Sequence, residues 1–107
     1  MKDNLINKVL TELGNELKHK YPSYKGIYFY GSRVKGNYTA DSDYDIVVTF
    51  DQEIDWRFER EVRGIVCEYM IEHDIILDCK VYSFSEILNP ETPFRMNVKN
   101  DGIFYGV

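Results

Sequence analysis

The sequence predicts a single domain of the α+β class, which combines two amphipathic helices with three short strands. The first observation is periodicity, because apolar residues recur at helical spacing in some segments and alternate with polar residues in others. The second is length: 107 residues can bury one hydrophobic core and leave no room for a second. The segments follow in the order helix, strand, strand, helix, strand and C-terminal tail. We therefore expect one domain over residues 1–107.

The first two predicted elements are a helix and a buried strand. A helix is expected over residues 4–20, where four apolar residues follow helical spacing: Ile6, Leu10, Leu13 and Leu17. It should end near Tyr21-Pro22, because the residue before a proline disfavours helical backbone. Residues 26–31 form a short apolar run that predicts a buried strand.

The remaining elements follow from the same patterns. A strand is predicted over residues 43–50, which have a β-branched centre. A helix over residues 54–72 has an apolar face made of Phe58, Val62, Ile65, Val66 and Tyr69. Alternating apolar and polar residues predict a third strand over 74–82, and a short helical piece is expected near 85–88. Pro90 and Pro93 predict an irregular C-terminal segment.

Composition excludes several classes of protein. Thirteen Lys and Arg residues against 18 Asp and Glu residues give a net charge of −5, which argues against stable, sequence-independent nucleic-acid binding. The longest apolar run has four residues, too few for a membrane span or a secretory signal. Cys67 and Cys79 are too few for a disulfide framework. We expect a cytoplasmic protein with reduced thiols.

The chemistry of the sequence is concentrated between Gly31 and Asp45. Gly31-Ser32 ends one predicted strand, and Asp43-Tyr44-Asp45 begins the next after ten intervening residues. A glycine at this point lets the backbone approach a phosphate, and the following amides and the Ser32 hydroxyl can donate to it. Asp43 and Asp45 project to one face, roughly 6–7 Å apart along the strand. Such carboxylates can hold a pair of Mg²⁺ ions about 3.5–4 Å apart.

Each half of this pattern also has a purely structural interpretation, since Gly-Ser turns and acidic strand ends are common. Two specific alternatives fail on spacing. A P-loop would need Lys and Ser or Thr where Asn37-Tyr38 stands. An EF-hand loop would need glycine in place of Ile46 and a glutamate in place of Gln52.

A third carboxylate strengthens the functional interpretation. Asp78 lies inside the third predicted strand between Leu77 and Cys79, where an unpaired charge would be costly. Its structural alternative is a salt bridge with Lys80, two residues along on the same face. With Asp43 and Asp45, however, Asp78 completes a set of acids that can ligate metal ions and orient a hydroxyl nucleophile.

Two segments of the chain resemble the signature of the DNA polymerase β-like nucleotidyltransferases: Tyr30-Gly31-Ser32-Arg33-Val34-Lys35-Gly36 and Ser42-Asp43-Tyr44-Asp45-Ile46-Val47-Val48. That superfamily has Gly-Ser, about ten residues, Asp-x-Asp and a third acid on a later strand, which Asp78 supplies here. The whole chain looks like a minimal nucleotidyltransferase, a short prokaryotic group encoded beside HEPN-domain proteins. The tail over residues 93–102 is also similar to that group.

The resemblance implies a polymerase β-like fold, with a small mixed β-sheet and helices on one side. It also implies transfer of a nucleoside monophosphate from ATP to an acceptor hydroxyl. Gly31 and Ser32 would hold the β- and γ-phosphates, and Asp43 and Asp45 would ligate two Mg²⁺ ions. Asp78 would ligate the catalytic ion and help to deprotonate the acceptor.

Further nucleotide contacts are expected from Arg33, Lys35 and Ser42, which lie in or beside the signature. Arg33 and Lys35 can equally be solvated charges on a loop, and a phosphate contact by Lys80 is left open. Tyr30 and Tyr44 flank the site in sequence.

The same resemblance suggests that the acceptor is a tyrosine of a HEPN-type toxin, which AMP transfer would silence. Modification of a small molecule such as an aminoglycoside is an alternative, although relatives of that kind usually carry an additional substrate-binding domain. A second alternative is an antitoxin that binds its partner without catalysis. A domain this short would borrow an acceptor-binding surface from its partner, or from a second copy as a homo-oligomer.

Overall fold

The first five helices and strands that the structure describes follow the order that the sequence predicts: helix, strand, strand, helix, strand. The computed structural model describes residues 4–31 and 43–106. Within those ranges the elements are α1 (Asn4–Lys20), β1 (Tyr24–Tyr30), β2 (Tyr44–Phe50), α2 (Trp56–His73), β3 (Leu77–Ser83), α3 (Phe84–Leu88), α4 (Pro93–Asp101) and β4 (Ile103–Gly106).

The strands form one mixed sheet in the order β3-β2-β1-β4. Strand β1 is antiparallel to both of its neighbours, β2 and β4, whereas β2 and β3 are parallel. A parallel pair needs a long crossover connection, and α2 supplies it between β2 and β3. The predicted α+β class with a small mixed sheet is therefore confirmed.

The two long helices pack on one face of the sheet and enclose the main core. The periodic residues of α1 are almost completely buried there, and they meet Ile27 of β1 and Ile46 and Val48 of β2. Helix α2 contributes three buried residues from its predicted apolar face: Val62, Ile65 and Val66. The amphipathic pattern of each helix thus explains which side of it faces the sheet.

The C-terminal segment covers the opposite face of the sheet. Val98 of α4 and Ile87 of α3 pack with Tyr28 and Val47 in a second, smaller cluster. The sequence led us to expect helices on one side of the sheet only. This holds for α1 and α2, whereas the two short helices α3 and α4 form a second layer on the other side.

The prediction of an irregular C-terminal segment was wrong. Thr92 caps α4, because its Oγ1 accepts a hydrogen bond from the Arg95 backbone amide at 3.2 Å. Pro93 occupies the first turn, where its missing amide hydrogen costs nothing. The chain then enters β4, which pairs with β1 from Gly26–Gly106 to Phe29–Ile103. Proline here starts a helix rather than preventing one.

The two cysteines are free, with Cys67 exposed and Cys79 buried. Burial raises the pKa of the Cys79 thiol to about 12, so this thiol stays protonated in the core. In the part of the chain that the structure describes, no helix combines the length and the apolar character needed to span a bilayer.

Candidate active site

Three neighbouring strands place their side chains in a row at one end of the sheet. Tyr30, the last residue of β1, pairs with Asp45 near the start of β2. Asp45 in turn pairs with Asp78 near the start of β3. Since paired residues on adjacent strands project to the same face, these side chains lie side by side. They lie on the face that α3 and α4 cover.

Asp43 is the residue immediately before β2, and it extends this row of side chains. It is exposed, and it lies two positions before Asp45, so the alternation of an extended chain directs both carboxylates to one face. The negative charge of Asp43 contributes to a raised pKa of Asp45. The structure therefore brings Asp43, Asp45 and Asp78 to one end of the sheet.

The carboxylate of Asp45 is the most perturbed of the three. Partial burial raises its pKa above the ordinary value, and the negative charge of Asp78 raises it further. A hydrogen bond with Asp78 acts in the same direction, whereas the positive charge of Lys80 opposes the shift. Two carboxylates this close repel one another when both are ionised, so a proton or a cation between them would stabilise the site.

Gly31 lies directly against the Asp45 carboxylate. Its φ angle of +89° is in a region that residues with a side chain rarely adopt. A Cβ atom added to Gly31 would also overlap Oδ2 of Asp45. Backbone conformation and close approach therefore both require glycine at the end of β1.

Asp78 is not enclosed in the sheet, contrary to the expectation from its apolar neighbours. Its side chain is 48% exposed, and Lys80 Nζ lies 3.6 Å from Asp78 Oδ2. The salt bridge considered as the structural alternative is thus present. It leaves the carboxylate open to solvent, so the ion pair and a catalytic role are compatible.

The donor chemistry of the site fits magnesium, although the geometry is not preassembled. Across residues 4–31 and 43–106, no group of three or more Asp, Glu, His or Cys side chains forms a ready metal cage. Mg²⁺ is commonly held by one or two carboxylates together with substrate phosphates. The adjacent Asp45 and Asp78 carboxylates offer such hard oxygen donors.

Helix α4 forms a wall of the site that sequence reasoning missed. A cleft of about 200 Å³ lies between the end of β1 and α4, lined by Tyr30, Gly31, Phe94, Asn97, Val98 and Asp101. The ring of Tyr30 meets that of Phe94 edge to face at 5.4 Å between centroids. Thr92-Pro93 as a helix start, with Phe94 and Val98 four residues apart, was the available signal.

The other predicted residues divide into two groups. Tyr44 does not line the site, because its side chain is buried on the opposite face near Phe29. The predicted nucleotide contacts Ser32, Arg33, Lys35 and Ser42 lie outside the described residues.

A glycine at a strand end beside carboxylates on a mixed sheet is the arrangement that the nucleotidyltransferase signature predicts. The model of the nucleotidyltransferase domain family matches residues 10–105, and the chain belongs to this family. The resemblance noted from the sequence is therefore confirmed.

Individual relatives make the comparison more specific. "Putative protein adenylyltransferase MJ0604" of Methanocaldococcus jannaschii is 30% identical over 98 residues, which span 89% of this chain and 92% of that protein. A chain in the crystal structure of a toxin–antitoxin with AMP-PNP has a TM-score of 0.65 at 21% identity, covering 94% of this chain and 73% of that one. A chain in a mutant of the toxin–antitoxin MntA-HpeT has a TM-score of 0.61 at 19% identity, covering 100% and 75%. At these identities the two structures show a shared fold.

Proposed function

We propose that this chain transfers AMP from ATP to a tyrosine hydroxyl of a HEPN-type protein partner. The observation that carries the proposal is the convergence of Gly31, Asp45 and Asp78 at the ends of three adjacent strands. A glycine at the end of a strand, placed against paired carboxylates, is suited to holding a nucleoside triphosphate and orienting an attacking hydroxyl.

Each residue of the site has a distinct part in this proposal. Gly31 lets the backbone approach the β- and γ-phosphates, and the Ser32 hydroxyl donates to them. Asp43, Asp45 and Asp78 would hold two Mg²⁺ ions. When bound, these ions supply positive charge that neutralises the triphosphate and stabilises the charge that develops during transfer.

The proposed reaction is a single in-line displacement. The acceptor oxygen forms a bond to the α-phosphorus while the bond from that phosphorus to the bridging oxygen of pyrophosphate breaks. Asp78, the most accessible carboxylate of the facing pair, accepts the hydroxyl proton and later releases it to water. The products are the AMP ester of the partner and pyrophosphate.

Two considerations support a protein acceptor. The related Methanocaldococcus protein carries the name "Putative protein adenylyltransferase MJ0604", and similar folds occur in solved toxin–antitoxin structures. The net charge of −5 also disfavours an acceptor with a phosphate backbone, which the acidic surface would repel.

Incubation with ATP, Mg²⁺ and a HEPN-type partner protein is expected to add one or a few AMP groups to that partner. Free RNA, DNA and aminoglycosides should gain negligible label, because transfer requires a hydroxyl held in line with the α-phosphorus and a docked protein partner would supply that positioning. Intact-mass and peptide mass spectrometry of the partner locate the modified residue. A labelled antibiotic or RNA with an unmodified partner would contradict the proposal.

Mg²⁺ is expected to raise the melting temperature of the protein, and ATP with Mg²⁺ should raise it further. Binding to the native state alone stabilises it by about 2.7 kcal/mol at a free ligand concentration of 100 Kd. For a domain of this size that corresponds to a rise of roughly 10 °C or more. Potassium chloride at matched ionic strength is the control. A melting temperature that Mg²⁺ and ATP leave unchanged would argue against a nucleotide site.

A further inference from the structure

Ile76 is a large apolar residue at the edge of the carboxylate row. It immediately precedes β3, and its carbonyl oxygen accepts a hydrogen bond from the Tyr44 amide at 3.0 Å. This bond extends the parallel pairing of β2 and β3 by one step. Ile76 therefore stands beside Asp43 as Asp78 stands beside Asp45.

The side chain of Ile76 does not stabilise the fold by burial. The residue is 62% exposed and belongs to neither apolar cluster of the described structure. A single exposed isoleucine is ordinary on a protein surface. Its surroundings distinguish this one, because Asp74 and Asp78 flank it two residues away in the chain and both are exposed. Ile76 is thus an exposed apolar residue between two exposed acidic residues of the chain, next to the site.

The order of the strands indicates from which side an acceptor arrives. Gly31 lies at the end of β1, Asp45 on β2 and Asp78 on β3, which is an edge strand. If Gly31 holds the leaving pyrophosphate, an in-line attack brings the acceptor hydroxyl from the opposite direction, over β3. Ile76 is on that side.

We propose that Ile76 is a specificity-determining residue that packs against the aromatic ring of the acceptor tyrosine. This inference rests on the proposed function. Ile76 and Asp78 are two residues apart on one face, roughly 6–7 Å, so a phenol can place its ring on the first and its hydroxyl at the second. Ile76 would therefore favour tyrosine over two other acceptors. A serine side chain lacks the apolar surface for this contact, and a ribose is polar over most of its surface. The exposed acidic residues on either side of Ile76 in the chain favour a partner with basic residues around that tyrosine.

Ile76→Ala is expected to raise the KM for the HEPN-type partner about tenfold while leaving the KM for ATP unchanged, since a lost apolar contact weakens acceptor binding alone. Ile76→Leu keeps the apolar volume and should restore most of the affinity. Ile103→Ala is the matched control, because Ile103 is 47% exposed at the start of β4, on the opposite edge of the sheet. It should leave both KM values unchanged.

The measurement is the initial rate of AMP incorporation by intact-mass spectrometry over a series of partner concentrations. Melting temperatures near that of the wild type verify that each variant is folded. An unchanged partner KM in Ile76→Ala, or an equal rise in Ile103→Ala, would overturn the role of Ile76 while the proposed function stands. A wild-type chain that modifies no partner would refute the proposed function, and this inference with it.

Discussion

Replacing Asp45 with Asn is expected to abolish AMP transfer and to leave the fold intact. The amide keeps the size of the side chain but removes the negative charge that would hold Mg²⁺ beside the triphosphate. Stabilisation of developing charge by bound metal ions is worth several kcal/mol, so we expect a loss of about a thousandfold or more in kcat. Asp43→Asn should have a similar effect on activity. Single-turnover assays with labelled ATP measure both variants.

The stability of Asp45→Asn should change in the opposite direction from its activity. Burial and the charge of Asp78 raise the pKa of Asp45 in the folded state, so the ionised carboxylate destabilises the wild type. This penalty is present above the raised pKa and disappears below the unfolded value of about 3.9, where both states are protonated. Without divalent cations, the variant should therefore melt at or above the wild-type temperature at pH 7. The difference should vanish at strongly acidic pH.

Asp51→Asn is the matched control for this pair of effects. Asp51 is exposed immediately after β2, at the end of the strand remote from Asp45. It should retain wild-type transfer. Full activity in Asp45→Asn or Asp43→Asn would contradict the assignment of these carboxylates, and so would a loss in Asp51→Asn as large as theirs.

Gly31→Ala is expected to destabilise the protein and to eliminate transfer. A side chain at a φ of +89° costs roughly 1–3 kcal/mol in backbone strain, before any collision is counted. The new methyl group would also displace the Asp45 carboxylate, which moves a site residue away from its partner Asp78. Chemical denaturation and the transfer assay together measure the two losses.

Gly64→Ala provides a control that should change stability in the opposite direction. Gly64 lies within α2, and a Cβ atom added there meets no other atom within 4 Å. Alanine in an exposed helix interior should stabilise the fold by about 0.5–1 kcal/mol, with transfer unchanged. If Gly31→Ala behaves like Gly64→Ala, Gly31 has no special role in the site.

Local patterns predicted much of the fold. The helical spacing of Ile6, Leu10, Leu13 and Leu17 correctly identified the buried face of α1, because periodicity depends only on neighbouring residues. The same is true of the alternation in β3. Gly31, Asp43, Asp45 and Asp78 were recognisable because their residue types and spacing follow a family signature. The roles of these residues remain predictions.

The C-terminal segment shows where local patterns misled. Its prolines suggested an irregular tail, yet α4 and β4 form there because Val98 packs on the sheet and β4 completes an edge of β1. Neither contact is local, so neither is visible in a short window of sequence. Thr92-Pro93 was a local signal for the start of α4, but the cleft along α4 depends on how that helix packs beside the end of β1.

The relative positions of the site residues required the tertiary structure. The register of β2 against β3 places Asp45 beside Asp78 and Asp43 beside Ile76, and it depends on how α2 crosses between the strands. The exposure of Asp78 and its ion pair with Lys80 also follow from that packing. Sequence spacing shows which residues share a face of one strand. Only the packing of distant segments decides which residues face each other across strands, because a shift of one residue would reverse every side chain.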